Sequence, residues 1–239
     1  MEDNNTKMED NNTKAAFLGK VTASVTHELQ NVLAIIKENE GLMEDIILMS
    51  QETSAAELAE KLERSLDTIK KQVLRGVNRT SELNGFAHTT DHVKAEINIF
   101  KTMDKLISLT RRITNLAGVE VTIAENAETA KNEQQPSIVT DPVLFQMAVY
   151  NCIDWLTSSA FPGTILTISF QKSNNRVSIY ITGTNDRGKK IFKNNLQAVA
   201  IDHSTAQSVQ WQETCDACDK INAVAKIFDD NSGLEIIFG

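Results

Sequence analysis

The stretch Ser24 to Ile36, SVTHELQNVLAII, decides how this chain is read. It lies in a proline-free run from Ala15 to about residue 50 whose apolar residues recur at helical spacing. With Leu18 as origin and about 100° per residue, Val21, Val25, Leu29, Val32, Leu33, Ile36, Met43 and Ile47 fall within roughly 60° of one line. His27 falls at roughly 180°, on the opposite face. Lys20, Ala23, Asn31, Ala34 and Glu38 share that outer face, and the two alanines leave the imidazole room to be approached by another protein. Glu28 follows at once and Asn31 one turn later, giving H-E-x-x-N on a solvent-facing helix. An exposed imidazole beside a carboxylate can act as a nucleophile, and an amide one turn on can orient a water or a phosphoryl oxygen. An ordinary surface histidine fits the same pattern.

Outward from this helix, Ser54-Ala-Ala-Glu57 has the form of a capping box that opens a second helix. Leu58, Leu62, Leu66, Ile69, Val73 and Val77 repeat along it to about Phe86. Two long helices with a short connection predict an antiparallel hairpin over residues 15–90. One hairpin cannot cover so long a stripe on both helices, so a homodimer forming a four-helix bundle is expected. The first fourteen residues, MEDNNTKMEDNNTK, are a tandem copy of seven polar residues and read as a disordered leader.

The pattern changes near residues 88–96. "INIF" and "VEVTIA" read as strands flanking a helix from Thr102 to Leu116. "ETAKNEQQ" reads as a polar loop and "SIVT" as a strand, and Asp141-Pro142 starts a helix to about Ser159. "TILTISFQ" and "RVSIYITG" alternate as a hairpin joined by "KSNN". A helix around Glu213 to Asn222 and a last hairpin, "AVAKIFDD" to "LEIIFG", close the chain. Residues 96–239 therefore predict an α+β domain of helices on a mixed sheet.

Composition narrows the function classes. A net charge of −8 over 239 residues argues against a general nucleic-acid binder. No apolar run is long enough to cross a bilayer and no signal-peptide pattern opens the chain, so no membrane partner is expected. Three cysteines fit a reducing compartment, and the expectation is a cytoplasmic protein. Cys215-Asp-Ala-Cys218, without a second pair, reads as packing. His88 and His92 show no ligand partners, and His203 stands alone. Lys70, Lys71 and Arg75 read as solvated faces of the hairpin.

"SVTHELQNVLAI" resembles the H-box of two-component sensor histidine kinases. In that family the histidine sits on the first helix of a dimeric four-helix bundle and carries the phosphoryl group. "DPVLFQMAVYNCIDWLTSSA" resembles the helix bearing the N-box, and "RVSIYITGTNDRG" the strand leading to the first glycine box. "CDKINAVAKIFDDNSGLEIIFG" resembles the closing helix and hairpin of the ATPase-like domain. The resemblance covers nearly everything after residue 14.

The nucleotide site departs from that pattern. Trp155 stands where the family has its magnesium-binding asparagine, although Asn151, one turn earlier, is retained. Gly183, Asn185 and Arg187 stand where an aspartate and two glycines belong, and residues 190–212 contain no glycine. The resemblance thus implies a degenerate domain that binds no cofactor, as in histidine phosphotransferases of phosphorelays. It implies phosphoryl exchange between His27 and the aspartate of a response-regulator receiver domain, which would bring Mg2+. Glu28 would serve as hydrogen-bond acceptor or base, and Lys20, Ala23, Ala34 and Glu38 would border the docking surface. Other readings remain: a receiver phosphatase using Asn31, a non-catalytic dimeric scaffold, or an active kinase with an unusual pocket.

Overall fold

The computed structural model describes residues 2–49, 54–124, 136–173, 176–185, 191–202 and 204–238. The polar loop expected at 128–135, and Asp186, Arg187 and His203, lie outside them. The chain divides into two compact units, Gly19–Ala87, and the residues up to Leu18 together with His88–Gly239.

The first unit is the expected hairpin, built from α1 (Glu2–Leu48), which continues into it from the other unit, and α2 (Ala55–Ala87). Ser54 caps α2, its hydroxyl accepting the Glu57 N–H at 3.3 Å and standing 3.4 Å from the Glu57 carboxylate. The helices meet at Gly76, where an added Cβ would lie 3.4 Å from Val32 Cγ1. Val21, Val25 and Val32 are buried as the stripe requires. Leu33 and Ile47 of the same stripe, however, are exposed, as are Leu66, Val73 and Val77 on α2. The apolar band is wider than one partner helix can cover.

The second unit begins with the start of α1. The disordered leader expected over residues 1–14 is corrected: helix runs from Glu2. No proline or glycine interrupts these residues, and extending a helix already nucleated costs far less than starting one. Lys14 Nζ pairs with Asp141 at 2.7 Å, and Phe17 packs on Tyr150 with ring centroids 5.5 Å apart.

The rest is α+β. After a short 3-10 turn at His88–Asp91, β1 (Ala95–Asn98) pairs antiparallel with β3 (Ser137–Thr140). The expected strand "INIF" stops at Asn98, because that side chain accepts the Lys101 N–H and caps α3 (Ile99–Leu116). Then come β2 (Glu120–Ile123), α4 (Pro142–Ser159), β4 (Ile165–Ser173) and β5 (Arg176–Thr184). α5 (Leu196–Ile201), α6 (Ala206–Asp219), β6 (Ala223–Ile227) and β7 (Gly233–Phe238) complete the chain. α6 starts earlier than its expected position near Glu213, because Thr205 and Ser208 form a reciprocal cap.

The strands form two sheets, β1-β3 and a five-stranded β2-β4-β5-β7-β6, which is the expected mixed sheet. The larger is mixed, with β2 parallel to β4 and the other pairs antiparallel. Alternation turns Leu166, Ile168, Ile179, Ile181, Leu234 and Ile236 into the core. α4, buried along nearly its whole length, is the central helix. Asp141 caps it by accepting the N–H groups of Val143 and Leu144.

Candidate functional site

His27 is exposed on α1, as the helical rotation requires, and so are Lys20, Ala23, Asn31, Ala34 and Glu38. The backbone spacing therefore brings the imidazole and the Asn31 amide to one open face, a turn apart.

Glu28, expected as hydrogen-bond acceptor or base, lies off this face. It is buried, since one residue beyond His27 the helix has turned about 100°. Its Oε2 lies 2.9 Å from Arg79 Nε and 3.6 Å from an Arg75 guanidinium nitrogen. The closer approach is an ion pair without hydrogen-bond alignment. Arg79 also meets Glu82 at 2.7 Å. The sequence placed Arg75 among the solvated charges and assigned Arg79 no role. Their partner sits on another helix some fifty residues away, and no local spacing announces it.

Lys70 and Lys71 are exposed as expected, with Lys71 paired to Asp67 at 2.6 Å. His88 meets Asp91 at 2.8 Å, a carboxylate partner that the sequence reading did not assign. No group of three or more metal-binding side chains occurs among the described residues.

In the α+β unit, Trp155 is fully buried. It donates its indole N–H to the Gln207 carbonyl at 2.9 Å and lies against Trp211, with ring centroids 4.6 Å apart. Trp155 thus joins α4 to α6. Gly183 is buried at the end of β5, and a Cβ there would stand 2.6 Å from Ile191 Cγ2 and 2.9 Å from Phe192 Cζ. Phe192, itself buried, is held in place by backbone pairing: Phe161 N–H donates to Ile191 O at 3.0 Å and Lys193 N–H to Ser159 O at 2.7 Å. An aspartate at 183 would have to displace these side chains. Asn185 is half-buried just beyond β5.

The cysteines meet between α4 and α6. Cys152 and Cys218 are buried and Cys215 is partly so. Burial and the neighbouring Cys218 hold the Cys152 thiol well above its usual range, and burial pushes Cys215 up to about 11. Such thiols pack; they are poor nucleophiles.

In its succession of helical hairpin and α+β domain, the chain is similar to the two-component histidine kinase core. It matches the histidine kinase AdeS of Acinetobacter baumannii at 10% identity over 88% of this chain and 95% of that one, with a TM-score of 0.42. It matches a bacterial phosphotransferase at 14% identity over 93% and 96%, with a TM-score of 0.43. A histidine kinase from Burkholderia phymatum matches at 13% identity over 87% and 96%, with a TM-score of 0.39. No family model and no curated protein matches the sequence. No helix among the described residues is long and apolar enough to cross a membrane.

Proposed function

We propose that this protein is a histidine phosphotransferase of a two-component phosphorelay, in which His27 exchanges a phosphoryl group with a receiver-domain aspartate. ATP takes no part. One contrast carries the reading: His27 stands exposed within an H-E-x-x-N motif, while Trp155 fills the place of the family's metal-binding asparagine and is buried against Trp211. The receiver brings Mg2+ and most of the charge stabilisation. This chain brings the nucleophile and an open helix face, which is sufficient for a reaction that rests on positioning and electrostatics.

The working form is a homodimer. Leu33 is 64% exposed and Val77 61% in the single chain, with Leu66 and Val73 beside Val77 on α2. A second hairpin covering this band gives a four-helix bundle.

Asn31, exposed one turn from His27, favours a second reading, in which its amide orients a water and the protein dephosphorylates receivers. A panel of phosphorylated receiver domains separates the two. Label appearing on wild type and not on His27→Ala supports phosphotransfer. Receivers losing phosphate while this chain stays unlabelled, with the loss abolished by Asn31→Ala, would replace it.

A further inference from the structure

A phosphoryl group brings roughly two negative charges to the imidazole that accepts it, and a cation beside His27 would stabilise both its arrival and its residence. Of the two arginines at Glu28, Arg79 is committed: its side chain is only 13% exposed and it meets both Glu28 and Glu82. Arg75 is held loosely. Its side chain is 52% exposed, and a guanidinium nitrogen stands 3.6 Å from the carboxylate of the residue that follows His27 in the chain.

Helical rotation places Arg75 on the correct flank. From Glu28, which faces α2, His27 and Asn31 lie roughly 100° and 60° to one side, and Leu29 and Leu33 roughly 100° to 140° to the other. From Arg79, which faces α1, Arg75 lies roughly 40° to one side, and Leu66, Val73 and Val77 roughly 120° to 160° to the other. In an antiparallel pair, equal senses of rotation point to the same side. The exposed apolar residues of both helices therefore share one flank, and His27, Asn31 and Arg75 share the opposite one.

We propose that Arg75 is a phosphoryl-binding residue of the His27 site, exchanging its loose contact with Glu28 for the oxygens of the phosphoryl group. The inference rests on the phosphotransfer reading above. In the step itself, a ring nitrogen of His27 attacks phosphorus and the bond from phosphorus to the receiver's aspartate oxygen breaks. The aspartate leaves as a carboxylate with the bonding electrons, and the proton on the other ring nitrogen stays until the phosphoimidazole releases it to solvent. Arg75 neutralises the charge spread over the transferring oxygens, for which its planar fork is suited. Glu28 keeps Arg79, so the hairpin retains its buried pair.

The test uses the full chain and one labelled receiver that wild type accepts from, with Arg75→Ala and Arg75→Lys as variants. Arg75→Ala should take up label at least ten-fold more slowly, and Arg75→Lys should recover part of the rate as a point charge. Once the receiver is removed, the label on Arg75→Ala should also decay faster. High salt should narrow the gap between wild type and Arg75→Ala, as screening of a half-exposed charge requires. Equal uptake and equal label lifetime in wild type and Arg75→Ala would overturn the proposal. So would slow uptake with unchanged lifetime and salt response, the mark of an arginine that merely props the hairpin. Wild type failing to take label from any receiver would overturn the phosphotransfer reading and this inference together, a result visible before any variant is compared.

Discussion

Arg79 holds Glu28 across the hairpin at 2.9 Å, and this pair turns the glutamate away from the open face on which its neighbour His27 stands. Adjacent residues of the H-E-x-x-N motif thus do different things. The histidine faces outward to where a partner can reach it, while the glutamate ties α1 to α2.

Removing one member of a buried ion pair leaves a charge without compensation, at a cost of about 3–5 kcal/mol. Arg79→Ala should lose about 3 kcal/mol, the lower end of that range, because Arg75 can move in. Urea unfolding followed by circular dichroism checks this, and a loss below about 0.5 kcal/mol, typical of a surface change, would mean that the pair is not holding the hairpin.

Trp155→Ala should destabilise the α+β unit by about 3–5 kcal/mol, the usual cost of deleting a large buried aromatic. The Gln207 carbonyl would also lose its donor. Trp155→Asn introduces the residue type that the resemblance to histidine kinases expects at that place, yet it should not confer nucleotide binding, since Phe192 still covers Gly183. Thermal unfolding checks the first expectation and titration with a fluorescent ATP analogue the second.

At Gly183, the missing side chain is what lets Ile191 and Phe192 close over β5. Gly183→Ala should cost about 1–3 kcal/mol through overpacking. Pairing it with Phe192→Leu should recover part of that loss, which a double-mutant cycle measures.

The helical hairpin, the outward face of His27, the Asp141 cap of α4 and the alternation of β4 and β5 were all legible in the sequence, because each is written in local spacing. Glu28 shows where local spacing stops helping: rotation turns it off the face of His27, but its partners Arg75 and Arg79 follow only from how α2 lies against α1. Gly183 is a second case. A glycine where the histidine kinase resemblance expects an aspartate reads as a lost contact, and only the fold shows two side chains crowding its Cβ position. The boundary of α6 was missed because its cap, Thr205 with Ser208, precedes the apolar pattern that marks the helix.

The thiols give the chain a distinct alkaline limit. Folding raises Cys215 from 9.0 to about 11, and Cys152 is raised as well. Below pH 9 these thiols are protonated in both folded and unfolded chains, and their contribution to stability is fully present. Between about pH 9 and 11 the unfolded chain gives up these protons while the folded chain keeps them, so stability falls as pH rises. Unfolding free energies measured from pH 8 to 10.5 should decline, and the decline should be smaller in Cys152→Ala/Cys215→Ser.

One measurement bears most directly on the function: incubate wild type and His27→Ala separately with labelled ATP alone and with a labelled phosphorylated receiver. Label on wild type from the receiver, none from ATP, and none on His27→Ala from either is the expected result. Label from ATP on wild type would contradict the account, because the region around Trp155 would then be a working nucleotide site.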